Sequence, residues 1–187
     1  LTPTSITVHE TDNTDVGANA EMHSIYVKGS DAQERELSWH FTVDDTEAYQ
    51  HLPIDEVGRH SGREGNHSSL SIELCVNSYG DFNATRANAI ELIFMLMEEL
   101  NFTTENVTTH NYWTNKNCPC NLLSNWNEFI DELGGSPEVK GRLLEVIAFE
   151  LWVYDQPDWE ARYITVKQGE VFTINSALTV MVPKCIN

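Results

Sequence analysis

The chain has 187 residues, with 11 basic against 29 acidic side chains and a formal net charge of −18. That length supports one good core, or one core plus a small appendage; the acidic excess argues against nucleic acid, an anionic membrane surface and unaided attraction to an anionic cell wall. No stretch is long and apolar enough to span a membrane as a helix, no signal peptide is visible after Leu1, and the four cysteines are too sparse for a disulfide scaffold.

Ser5-Ile6-Thr7-Val8-His9 alternates, which predicts a strand leaving into the loop Glu10-Thr11-Asp12-Asn13. Alternation places His9 with Ser5 and Thr7, on the face opposite Ile6 and Val8. Between Gly17 and Gly29, the residues Ala18, Met22, Ile25 and Tyr26 recur at helical spacing and predict a helix packed on a sheet, with His23 as a surface or filler histidine. A polar connection to Glu36 follows. Leu37 to Asp44 predicts a second strand, with Trp39, Phe41 and Val43 on one face and Ser38, His40 and Thr42 on the other. Asp44-Asp45-Thr46 turns the chain, and Ala48 to Leu52 returns it as a hairpin.

Pro53 to Ser68 reads as a loop carrying His60 and His67, of the kind that forms groove walls. Ser69 to Val76 is the clearest strand: Leu70, Ile72, Leu74 and Val76 face one way, Ser69, Ser71, Glu73 and Cys75 the other. A carboxylate in the middle of a core strand needs a partner or a job. For Glu73 the partner is a metal site, or an arginine such as Arg59 or Arg63; Cys75 reads as a small buried filler. After the turn Asn77-Ser78-Tyr79-Gly80-Asp81, a helix is predicted from Ala84 to Leu100, burying Ala87, Ile90, Phe94, Met97 and Leu100, with Met95 and Met97 as core residues.

Asn101 to Thr109 leads into Thr108 to Cys120, where His110, Lys116 and Cys118 follow one another across an apparently irregular loop. A histidine and a cysteine so placed are half of a catalytic zinc site, and Lys116 stands where it can touch whatever the metal polarises. A catalytic zinc has three protein ligands and one open position, so the third ligand is expected from a distant segment; His9, at its strand exit, is the choice. Leu122, Trp126, Ile130 and Leu133 mark a closing helix, which Gly134-Gly135-Ser136-Pro137 ends.

With these residues in view, the chain resembles the zinc-dependent N-acetylmuramoyl-L-alanine amidases of type 2, which share their fold with the peptidoglycan-recognition proteins, and in particular their phage and prophage endolysin branch. The resemblance rests on Val8 to Asn13, Ser38-Trp39-His40-Phe41-Thr42-Val43-Asp44-Asp45, His60-Ser61-Gly62, Ser71 to Asn77 and the His110 to Cys120 loop, in that order over roughly residues 1–133. It implies a mixed α/β domain: a central sheet from the strands at Ile6, Phe41, Tyr49 and Ile72, with packed helices and a zinc groove. It implies zinc held by His9, His110 and Cys118, Glu73 as proton carrier, Lys116 as oxyanion stabiliser, and His60 and Trp39 against the substrate. The substrate would be bacterial peptidoglycan, cut between N-acetylmuramic acid and L-alanine. A phage enzyme of this kind would be made in the host cytoplasm and act on the wall.

Three positions depart from the pattern, among them Tyr112, which replaces another polar residue in the loop. Trp39 stands where some relatives have a catalytic tyrosine, and an indole cannot replace a phenol's proton chemistry. Cys120 stands where relatives commonly have histidine and could compete with Cys118 for zinc, or close the site as a fourth, structural ligand. A non-catalytic peptidoglycan-binding module on the same fold is the alternative to an enzyme.

After a linker over 134–141, residues 142–187 turn to short β-rich runs at Leu143 to Ile147, Glu150 to Tyr154, Tyr163 to Val166, Val171 to Ile174 and Leu178 to Val182. They resemble the Src-homology-3-like wall-binding modules appended to such amidases, though short for one. A β-rich extension packed on the amidase domain is the other reading.

Overall fold

The computed structural model describes residues 1–135 throughout and, beyond them, the backbone of four strands; the chain divides into two units, Leu1–Ser136 and Pro137–Asn187. In the first unit five strands form one sheet: β1 (Ser5–Glu10), β2 (Phe41–Val43), β3 (Ala48–Gln50), β4 (Ser69–Leu74) and β5 (Val107–Thr109), in the order β3-β2-β4-β1-β5. The pairings of β1 with β4 and β5, and of β2 with β4, are parallel; the β2–β3 hairpin is antiparallel. The mixed α/β expectation holds. β5 is an addition, because Val107-Thr108-Thr109 carries a single apolar residue and no visible alternation.

One face of the sheet is apolar and the other polar, as the alternation in β1 and β4 requires. Ile6, Val8, Leu70, Ile72 and Leu74 are fully buried on the apolar side, each worth about 1.5–3 kcal/mol of transfer free energy. They meet α4 (Phe82–Leu100) and α6 (Trp126–Gly134), whose Ala89, Ile90, Ile93, Leu96, Phe129 and Leu133 complete the core. Asp81 caps α4 by accepting from the backbone N–H of Asn83 and Ala84, and Arg86 joins the two helices through a bidentate pair with Glu132 at 2.6 and 2.9 Å. The helix starts two residues earlier than expected. Its buried stripe is also rotated: Ala87 and Met95, the latter 54% exposed, face out where burial was expected, while Ile93 and Leu96 face in.

The other face carries shorter helices: α1 (Ala20–Tyr26), α2 (Ser30–Glu34), α3 (Gly62–Ser68) and α5 (His110–Thr114). The segments holding α2 and α3 read as connections because neither offers an apolar stripe. They are held instead by polar groups. Trp113 Nε1 donates to Thr7 Oγ1 at 2.8 Å, Thr7 Oγ1 donates to Ser69 Oγ at 2.7 Å, and Ser69 Oγ donates to the Gly65 carbonyl at 2.8 Å. This chain of bonds pins α3 and α5 to buried serine and threonine on the sheet and satisfies the hydroxyls of Thr7 and Ser69. Gly65 permits the approach: a Cβ there would lie 3.0 Å from Trp113 Cγ and 2.1 Å from Ser61 Oγ.

The second unit contributes β6 (Leu143–Glu145), β7 (Glu150–Tyr154), β8 (Arg162–Lys167) and β9 (Val171–Thr173), with β6 paired to β9 and β7 to β8, both antiparallel. The expected run at Leu178 to Val182 lies outside the described residues. Among the described residues no helix is long and apolar enough to cross a membrane.

Candidate metal centre

Strand register builds the site. β1 pairs with β4 so that His9 lies opposite Glu73, and with β5 so that Val8 lies opposite Thr109. His110, one residue past the end of β5, therefore stands beside His9 at the carboxyl edge of the parallel strands, where open α/β sheets place their ligands. Thr109 accepts a hydrogen bond from Tyr112 N–H and caps α5, so His110 begins a helix rather than an irregular loop. Asn115 then turns the chain at φ 60°. The segment folds back: Asn111 N–H donates to the Cys118 carbonyl at 2.9 Å and Asn111 Nδ2 to the Lys116 carbonyl at 2.8 Å.

This return brings Cys118 to the two histidines. One ligand atom from each of His9, His110 and Cys118 can be chosen so that all lie within 4.8 Å of one another. Cys118 Sγ is 3.9 Å from His9 Nδ1, and Glu73 Oε1 is 3.8 Å from the same nitrogen. The donor set suits a divalent transition metal, being two imidazoles and a thiol with a carboxylate alongside. Its electrostatics fit too. Burial lowers the pKa of His9 well below its ordinary value, helped by His60, His110 and Lys116; burial and then Lys116 lower that of His110. Both rings thus keep a free lone pair, and buried His110 Nδ1 has no hydrogen-bond partner. Burial pushes the Cys118 thiol up to about 12, so a cation is what would ionise it.

Among the described residues Glu73 pairs with no arginine. Arg59 instead bonds Glu36 at 2.7 Å, and burial drives the Glu73 carboxyl up to about 8, against the pull of Lys116. Its side chain is 16% exposed. Cys120 does not join the cluster: its thiol faces Glu10 Oε2 at 3.2 Å. Cys75 is a buried filler, as expected.

Glu10 is the residue sequence reasoning missed. Read as a loop exit, it is buried, and its carboxylate accepts from Asn121 N–H, Asn121 Nδ2 and Leu122 N–H at 2.8–3.1 Å, locking the end of the Cys118 loop to β1. The rule applied to Glu73, that a carboxylate in a core strand needs a partner, extends to Glu10 as the last residue of β1.

The centre opens into a groove of about 730 Å³ whose lining includes His9, Glu73, His110, Lys116 and Cys118 together with His60 and Trp39. Trp39 precedes β2 rather than lying within it. Its indole N–H donates to Thr42 Oγ1 at 2.7 Å, its ring stacks on Tyr26 with centroids 6.3 Å apart and meets the His51 ring edge to face, and the residue is only 7% exposed. The Tyr26 hydroxyl donates to Asp31 at 2.7 Å and accepts from Arg35 at 3.0 Å. His60 bonds His9 directly, Nδ1 to Nε2, at 2.9 Å. His67 is exposed on α3.

The same chain matches known proteins over this unit. Residues 1–121 match the N-acetylmuramoyl-L-alanine amidase family model. N-acetylmuramoyl-L-alanine amidase XlyA of Bacillus subtilis (strain 168) is 50% identical over 138 residues, 72% of this chain and 46% of the relative; CwlH of the same organism is 46% identical over 140 residues, 73% and 55%. The chain thus spans about half the length of the curated relatives it matches. Among solved structures, the catalytic domain of XlyA superposes with a TM-score of 0.68 at 50% identity, covering 71% of this chain and 87% of that one. A mutant endolysin from Bacillus subtilis gives 0.68 at 48%, covering 71% and 86%, and PlyL gives 0.64 at 33%, covering 71% and 84%. With residues 1–121 matched by the family model and half of its aligned residues shared with XlyA, the chain belongs to the N-acetylmuramoyl-L-alanine amidase family.

Proposed function

We propose that the chain is a zinc-dependent endolysin-type hydrolase that cuts the amide between the lactyl group of N-acetylmuramic acid and the L-alanine of the stem peptide in bacterial peptidoglycan. The observation that carries this reading is the convergence of His9, His110 and Cys118 beside Glu73 in a groove, in a chain half identical to an amidase over that region. His9, His110 and Cys118 would hold the metal, Cys118 giving up its proton as it does so. Zinc, when bound, supplies a Lewis acid that polarises the scissile carbonyl and acidifies water.

The chain's own groups do the rest. Glu73, whose Oε1 lies 3.8 Å from His9 Nδ1, takes a proton from the attacking water in its ionised form and returns it to the departing alanine nitrogen as the C–N bond breaks. Lys116, on the exposed side of the same groove, stabilises the negative charge that develops on the carbonyl oxygen. Trp39 lines the groove beside the substrate, and His60 backs the wall behind His9.

Digesting purified peptidoglycan with the full chain and weighing the soluble products tests the bond. Stem peptides that begin with free alanine are expected. New reducing sugars, or cuts inside the stem, would contradict the assignment, and retention of the protein on uncut wall would make it a recognition module.

A further inference from the structure

We propose that His60 is a positioning residue for His9: it accepts the Nε2 proton of His9 and thereby leaves the Nδ1 lone pair of His9 facing Cys118. The inference rests on the reading of His9, His110 and Cys118 as metal ligands and adds a residue to it.

The two rings meet edge to face, with centroids 5.0 Å apart and planes at 81°, and His9 Nε2 lies 2.9 Å from His60 Nδ1. A histidine that offers a lone pair to a metal must be a neutral imidazole. Two neutral imidazoles sharing one hydrogen bond need one donor and one acceptor, so only two proton arrangements exist. With His60 donating, the proton of His9 would sit on Nδ1, pointing into the cluster and occupying the lone pair a metal needs. With His9 donating, its Nδ1 is free toward Cys118 Sγ at 3.9 Å and Glu73 Oε1 at 3.8 Å. His60 then carries its own proton on Nε2. That nitrogen is buried and has no hydrogen-bond partner among the described residues.

His60 is itself tightly placed. Asn66 Oδ1 accepts from the backbone N–H of both His60 and Ser61 at 2.8 Å. Gly58 packs against its edge, where a Cβ would come within 3.2 Å of His60 Cδ2 and 3.1 Å of His40 Cε1. The His40 ring behind is locked in turn, Nδ1 accepting from Ser71 N–H at 3.0 Å and Nε2 donating to the Glu56 carbonyl at 3.0 Å. Partners that hold the far nitrogen of a ligand histidine orient the ring and raise its basicity, and their loss typically weakens metal binding about 10–100-fold.

The test titrates metal-free wild type, His60→Asn, His60→Leu and His110→Ala with cobalt(II) against a competing chelator, and assigns the His9 tautomer in metal-free wild type by ¹⁵N NMR. Asparagine keeps an acceptor near the place of Nδ1, whereas leucine does not. The expected results are a proton on His9 Nε2, an affinity loss of about 10–100-fold in His60→Leu, and recovery of most of that loss in His60→Asn. A proton on His9 Nδ1, or wild-type affinity in His60→Leu, would overturn the inference alone. Wild type binding no more tightly than His110→Ala would overturn the metal reading and the inference with it.

Discussion

His9 and Cys118 are 109 residues apart in the chain and 3.9 Å apart in space, Nδ1 to Sγ, and what separates Cys118 from Cys120 is a matter of partners rather than chemistry. Cys118 is buried against two imidazoles; Cys120 is exposed, with its thiol turned to Glu10. Cys118→Ser should therefore lose metal through gel filtration in metal-free buffer, while Cys120→Ser keeps a full equivalent, both read by elemental analysis; the reverse pattern would reassign the ligand. At this scale the sequence was informative wherever a residue type is costly out of context. Glu73 in a core strand, and the His110, Lys116, Cys118 spacing, stand out in that way. The bond from His9 to His60 spans 51 positions and that from Glu10 to Asn121 spans 111, and neither leaves a local pattern to read.

At the scale of elements, Asp44 joins the β2–β3 hairpin to α1. It is buried, and burial opposes its ionisation; the Ala20, Thr46 and Glu47 backbone N–H groups and the Thr46 hydroxyl, at 2.7–2.9 Å, outweigh that and hold its pKa below the ordinary value. A carboxyl whose pKa is lower folded than unfolded stabilises the fold above its unfolded value, about 4, and loses that contribution as pH falls through the depressed one. Asp44→Asn should thus cost about 2 kcal/mol in urea unfolding at pH 7, with the difference shrinking below pH about 4. A difference that stays constant across pH would show that shape, not charge, is what α1 needs. Elements with a strong apolar period, β1, β4 and α4, were legible. β5, α2 and α3 were not, because they are held by neighbours: β5 by pairing with β1, and α3 by the Ser69 and Trp113 bonds and the bare Cα of Gly65. The rotation of the α4 stripe has a similar origin, since several of its residues are apolar and only the sheet decides which face turns inward.

For the whole molecule, a net charge of −18 opposes approach to an anionic wall. We propose that residues 142–187, whose described strands pair into two antiparallel ribbons, supply wall binding to the amidase unit through the connection at 134–141. A fragment covering residues 1–136 should then cut purified muropeptides at the rate of the full chain yet clear whole cells far more slowly; equal clearing by both would reject that role. The central claim concerns the site itself, and its most direct measurement is the release of free alanine amines from purified peptidoglycan by wild type and Glu73→Gln, after chelation and again after return of zinc. The account predicts release that disappears with the metal, returns with zinc in wild type, and stays about 10²–10⁴-fold lower in Glu73→Gln at full zinc occupancy. Alanine release that is indifferent to chelation, or undiminished in Glu73→Gln, would contradict it.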